Sequence, residues 1–185
     1  MSLKQITRRK FLKESTTAAA AGALYLSLPE KLFAQKAKKS RVVLIRNKNL
    51  LDDLNRPRRE IVQEMLDEPV MALLGDSDVG KSWKKLIKPD DIVGIKTNVW
   101  SYLPTTSQVE QAIKKRVMEV GVGEDQISIR DRGLLKDPIF LKATALINAR
   151  PMRTHHWSGV GSLIKNYIMF VDKPYLYHPD SCADL

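Results

Sequence analysis

"DDIVGIKTN" (residues 90–98), "SQVEQAIKKRVMEVG" (residues 107–121) and "QISIRD" (residues 126–131) decide the fold when taken together. Ile92 to Thr97 is an apolar, β-branched run that opens after the turn Lys88-Pro89-Asp90-Asp91, and Gln126 to Asp131 is a second such run. Between them Val109, Ile113, Val117 and Val120 recur at helical spacing. Ser107 and Glu110 form a capping box and Gly121 is a stop, so a helix is predicted from about 108 to 120. Strand, helix and strand in this order make a right-handed βαβ unit, which needs a parallel sheet.

Outward from this unit, "RVVLIRN" (residues 41–47) has the composition of a buried strand. Pro57 to Leu74 reads as helix, with Ile61, Met65 and Leu66 on one face. Pro69 is expected to split it into two short helices, the second closing at Gly75. Asp78 then caps an amphipathic turn carrying Trp83, Leu86 and Ile87. A further strand is predicted at Ala145 to Ala149, and a helix from about Gly161 to Phe170. The fold class is α/β, a mostly parallel sheet with helices on both faces. "HPDSCADL" supplies no closing element, so the fold is expected to be incomplete at the C-terminus.

The first residues follow other rules. Thr7-Arg8-Arg9-Lys10-Phe11-Leu12-Lys13 resembles the twin-arginine export consensus, and Ser15 to Leu28 is Ala-rich, uncharged and too short to span a bilayer. Residues 1–34 are therefore expected to be a signal peptide, 35–40 a basic junction and 41–185 the folded domain. This implies the twin-arginine translocase as a partner, a periplasmic or otherwise exported location, and no transmembrane span beyond the leader. The net charge of +10 points to nucleic acid only until it is apportioned. The leader and Lys36, Lys38 and Lys39 hold +7 of it, so no basic stripe for phosphate backbones is expected in the body. Cys182 is the single cysteine, which excludes an internal disulfide and any zinc finger or Cys-ligated iron–sulfur cluster built from this chain alone.

"GDSDVGKS" (residues 75–82) fits the phosphate-loop pattern GxxxxGK[ST]. That chemistry needs a buried strand before the loop and a long helix after it. Here the preceding segment follows Pro69, the next helix has at most seven residues before Lys88-Pro89, and Asp76 and Asp78 would face the phosphates as like charges. An exported protein also meets no ATP supply. The competing reading, a helix C-cap at Gly75 and a new N-cap at Asp78, is preferred to a nucleotide hydrolase.

In open parallel sheets ligands bind beyond the carboxyl ends of the strands. Lys96 and Asn98 follow the first predicted strand and Asp131 and Arg132 the second, while Arg153, Thr154, His155 and His156 follow the third. The stretch "SGVGS", Ser158 to Ser162, reads as a turn entering a helix. Ser158, Gly159 and Gly161 would offer N–H groups to an anion there, with Lys165 one turn in. Each has a plainer reading: Lys96 and Arg153 as solvated strand ends, Asn98 and Asp131 as turn formers or caps. His155 is the candidate proton carrier because its unperturbed pKa lies near neutrality. His155, His178 and Cys182 form a candidate metal site, although a polar loop explains His178 to Asp184 as well.

"LIKPDDIVGIKTN" (residues 86–98) and "ALINARPMRTHHWSGVGSLIKN" (residues 145–166) resemble the uncharacterised family called domain of unknown function 362. That family commonly shows a KPGD turn, a strand and KPN, which Lys96 and Asn98 match with Thr97 in place of Pro. It then shows INVPKLKTH and GVTGALKN, which Ile147, Asn148, Thr154, His155, Gly159, Val160, Lys165 and Asn166 match. Arg153 replaces a Lys, Arg150 and Pro151 stand where Pro and Lys are usual, and Gly161 stands where Thr is usual, so no role passes to position 151. The resemblance covers about residues 41–185 and implies an exported α/β domain that extends past Leu185. The family has no established reaction, and some relatives carry fused ferredoxin modules. The expectation is an exported protein with a site for a small anionic ligand at the carboxyl edge, built from Lys96, Asn98, Asp131, Arg153, His155, Lys165 and Asn166. The alternative is a metal- or iron–sulfur-linked redox accessory protein of the periplasm.

Overall fold

The computed structural model describes residues 40–156 and 158–177. Contacts divide the chain into two units, Met1–Arg41 and Val42–Leu185, and every element below belongs to the second. Its helices are α1 (Arg59–Leu74), α2 (Val79–Leu86), α3 (Ser107–Val120), α4 (Pro138–Lys142) and α5 (Leu163–Asn166). Its strands are β1 (Val93–Lys96), β2 (Ile127–Arg130), β3 (Ala145–Asn148), β4 (Arg153–His155) and β5 (Gly159–Gly161).

The fold is α/β. β1 is the centre of a three-stranded parallel sheet of order β2-β1-β3, with Val93 opposite Ile127 and Ala145, and Lys96 opposite Arg130 and Asn148. Strand side chains alternate between faces. Val93 and Ile95, both fully buried, pack with Trp83, Ile87, Ile113, Val117 and Val120 beneath α2 and α3. Gly94 lies on the other face, where a Cβ would sit 2.8 Å from Leu146 Cδ2 and 2.9 Å from the Phe140 ring. Glycine at 94 is thus what lets α4 close on the sheet. Helices cover both faces, and a centre strand buried on both sides reads as the unbroken apolar run seen in the sequence.

α1 lies against α3, and a partly buried ion pair between Asp67 and Arg116 joins the two. Pro69 does not split the segment: α1 runs through it as one helix. Proline removes a single N–H, and the packing of Leu66 and Val70 against the core on either side of it outweighs the lost bond. Residues 41–47 are not a strand. Among the described residues no strand pairs with them, Val42 and Leu44 are 86% and 72% exposed, and β-branched composition without a pairing partner does not make a ladder.

The N-cap of α3 is Thr106 rather than Ser107, whose hydroxyl turns to Gln108 Oε1 at 3.2 Å. The segment predicted as a helix over about 161–170 is the four-residue α5 followed by a 3₁₀ turn, Tyr167–Phe170. Ahead of it stands an unforeseen antiparallel hairpin, β4 with β5, in which Arg153 opposes Gly161 and His155 opposes Gly159. Gly159 has a left-handed φ of 66° next to this turn, a conformation glycine adopts without strain. Among the described residues no helix is long and apolar enough to cross a membrane.

Residues 75–82 join two helices. Gly75, with φ 71°, is the left-handed C-cap of α1, and Asp78 caps α2 by accepting from Lys81 N at 2.7 Å. A helix, not a strand, leads into this loop, and α2 has eight residues.

Candidate functional site

The parallel register brings the carboxyl ends of β1, β2 and β3 to one edge. At the end of β1 the side chain of Lys96 is 1% exposed, so it is not a solvated strand end. Its Nζ donates to Asp131 Oδ1, to Thr97 O at 2.8 Å and to Asn166 Oδ1 at 3.1 Å. Three acceptors meet three N–H bonds, which leaves none for a ligand.

The network extends on both sides. Asn166 Nδ2 donates to Thr97 O at 3.2 Å and to Asn148 Oδ1 at 2.8 Å, while Asn148 Nδ2 reaches Leu163 O at 2.8 Å. Asp131 Oδ2 accepts from Val99 N at 3.1 Å. Burial lowers the pKa of Lys96 most, the hydrogen bond and charge of Asp131 oppose this, and the nearby charge of Arg150 lowers it further. This buried cluster ties the ends of all three strands to α5 and forms the floor of the site.

Asn98 is a turn former. Its N–H donates to Thr105 Oγ1 at 3.0 Å, its carbonyl accepts from Thr105 N at 2.7 Å and its Oδ1 accepts from Trp100 N at 3.3 Å. These bonds shape the loop after β1 and set Trp100 on it. The guanidinium carbon of Arg153 lies 3.6 Å from the centroid of the Trp100 ring, a cation–π stack.

Arg150, two residues past β3, completes the arrangement. Adding a Cβ at Gly161 would place it 3.1 Å from Arg150 Nη2 and 3.4 Å from Arg153 Cγ, so both arginines meet at the same point of β5. The Nε atoms of Arg150 and Arg153 are buried with no hydrogen-bond partner, and neither guanidinium has a carboxylate partner among the described residues. Burial lowers the Arg150 pKa and Arg153 lowers it further, with Asp131 acting in the opposite sense. Arginine nonetheless stays charged in proteins. Two adjacent cations with unmet donors are the geometry that accepts an oxyanion through bidentate bonds.

Arg153 and His155 lie on one face of β4, two residues apart, and Thr154 lies on the other. His155 Nδ1 accepts from Ser158 N at 3.3 Å, which places the proton of the neutral ring on Nε2. His156 is exposed. The stretch from Ser158 to Ser162 is not a turn leading into a long helix. Ser158 N bonds to His155, its hydroxyl to Val160 O at 3.1 Å and its carbonyl to Val160 N at 2.6 Å, and Gly159 and Gly161 are strand residues. The short α5 behind it offers no extended helix N-terminus for an anion. Lys165 is buried on α5. His178 and Cys182 lie outside the described residues, and among the described residues no group of three potential metal ligands comes together.

Arg150 and Trp100 were missed by reasoning from the sequence. The signal for Arg150 was its place two residues past the third parallel strand, and for Trp100 its place in the loop after the first. Scans against protein-family models, curated proteins and solved structures each found no match. The resemblance to domain of unknown function 362 is therefore carried by the quoted residues alone.

Proposed function

We propose that this is an exported protein that binds a small anion at the carboxyl edge of its sheet, between Arg150 and Arg153. The observation that carries the reading is two buried guanidinium Nε atoms without hydrogen-bond partners, on arginines whose side chains both reach Gly161. An unmet buried donor is costly, at about 1–3 kcal/mol each, and an arriving oxyanion relieves two at once. Lys96 and Asp131 act as a positioning pair behind the arginines. Trp100 and Gly161 hold the guanidinium planes in place. Export rests on the twin-arginine motif of residues 7–13. His155, with its proton on Nε2 and its side chain on the Arg153 face, is the proposed proton carrier should the bound anion react.

Thermal unfolding tests this reading. Phosphate, sulfate or acetate should raise the Tm of the protein in the saturable manner of a ligand that binds the native state. The double variant Arg150→Gln, Arg153→Gln should lose little Tm without anion, since it gives up no acceptor and only the Arg153–Trp100 stack, and should no longer respond. An equal rise in both proteins would refute the assignment.

A further inference from the structure

A cavity of about 960 Å³ opens beside β3, the edge strand of the sheet among the described residues, between that strand, α2 and the start of α3. Its size is that of a small-molecule site. Leu66, Trp83, Leu86, Val109, Ile147 and Leu163 contribute apolar wall, and Arg150 is the one charged residue among the described residues that line it. Two further polar atoms in the lining residues, Trp83 Nε1 and Thr106 Oγ1, are buried without a hydrogen-bond partner. Arg150 thus belongs to both features, the arginine pair and the apolar chamber.

From this we infer that the ligand is a free monocarboxylic acid with an apolar body of several carbons. Its carboxylate sits on Arg150 and Arg153 and its body lies in the chamber along β3. Charge complementarity selects the acid. A neutral apolar molecule would leave both guanidinium groups unmet, and a small inorganic anion would leave the chamber unfilled. Trp83 Nε1 and Thr106 Oγ1 would serve an oxygen function on the body of the acid, such as a hydroxyl or keto group. The inference rests on the anion reading above and adds the class of ligand to it.

Calorimetric titration of the full chain with acetate, octanoate and octan-1-ol provides the test. Each methylene buried contributes roughly fourfold in affinity, so octanoate should bind at least about a hundredfold more tightly than acetate. Arg150→Gln should weaken octanoate about tenfold or more and reduce, with Arg153 still charged, the salt dependence of its binding. Leu163→Gln, at a half-exposed wall position, removes apolar wall without adding charge, so it should weaken octanoate and leave acetate unchanged. If octanoate binds no better than acetate, the inference fails while the anion reading stands. If octan-1-ol matches octanoate, the carboxylate plays no part and the inference is overturned. If neither acid binds, the inference and the anion reading fall together.

Discussion

Gly161 shows how a single residue can serve the site without touching a ligand. A methyl group there would stand 3.1 Å from Arg150 Nη2, the far end of a flexible side chain. Gly161→Ala should therefore change stability by under about 0.5 kcal/mol, because the tightest neighbour can move aside and the others, Arg153 Cγ at 3.4 Å and Arg153 O at 3.6 Å, are at ordinary contact distance. It should still weaken anion binding severalfold, because Arg150 is displaced from Arg153. Chemical denaturation paired with a binding titration separates the two effects. Lys96 behaves in the opposite way. Lys96→Met leaves Asp131 buried without its cation and Asn166 without a donor, so unfolding free energy should fall by about 3–5 kcal/mol. A loss below 1 kcal/mol would mean that the buried network does not hold the strand ends. Sequence placed Lys96 and Asp131 at the right edge because strand ends can be read from hydrophobic runs. It could not show that Lys96 spends every donor internally, since Asn166 lies 70 residues away. Arg150 was illegible for a related reason: an arginine after a strand looks like a solvated terminus until its lack of any acceptor is seen.

Among the elements, α1 and α4 make the sharpest predictions. Pro69 inside α1 leaves one carbonyl without its usual donor, so Pro69→Ala should stabilise the protein by about 1–2 kcal/mol and raise the melting temperature. A drop in melting temperature would show that the helix is shaped to the proline. α4 is capped by Asp137, whose Oδ1 accepts from Ile139 N and Phe140 N, each at 3.0 Å, while Oδ2 takes Ser128 Oγ at 2.9 Å and Arg130 Nε. Burial alone would raise the pKa of this carboxyl, but the bonds from Phe140, Ser128, Arg130 and Ile139 outweigh it and hold it below its ordinary value. A depressed carboxylate contributes stability above its unfolded pKa and loses it as pH falls through the folded one. The wild type should thus lose stability from about pH 4 downward, and Asp137→Asn should show a shallower loss over that window. Matching slopes would remove Asp137 from the acid response. The βαβ unit around β1 was legible because its periodicities are long and its caps unambiguous. Residues 41–47 and the hairpin of β4 and β5 were not, because three-residue strands and unpaired β-branched runs are decided by what lies beside them.

At the scale of the whole molecule, the phosphate-loop string at residues 75–82 and the arginine pair at the sheet edge are two rival places for an anion. The first is a junction between helices, with Asp78 committed to a helix cap and Asp76 to Lys85. The second lies where parallel sheets gather ligands and holds two guanidinium groups whose Nε atoms have no acceptor among the described residues. Calorimetric titration with inorganic phosphate at low ionic strength decides between them, comparing the wild type, Lys81→Ala and the double variant Arg150→Gln, Arg153→Gln. The account predicts one site in the wild type, unchanged in Lys81→Ala and absent from the double arginine variant. Undiminished binding in the arginine variant, or its loss in Lys81→Ala, would contradict it.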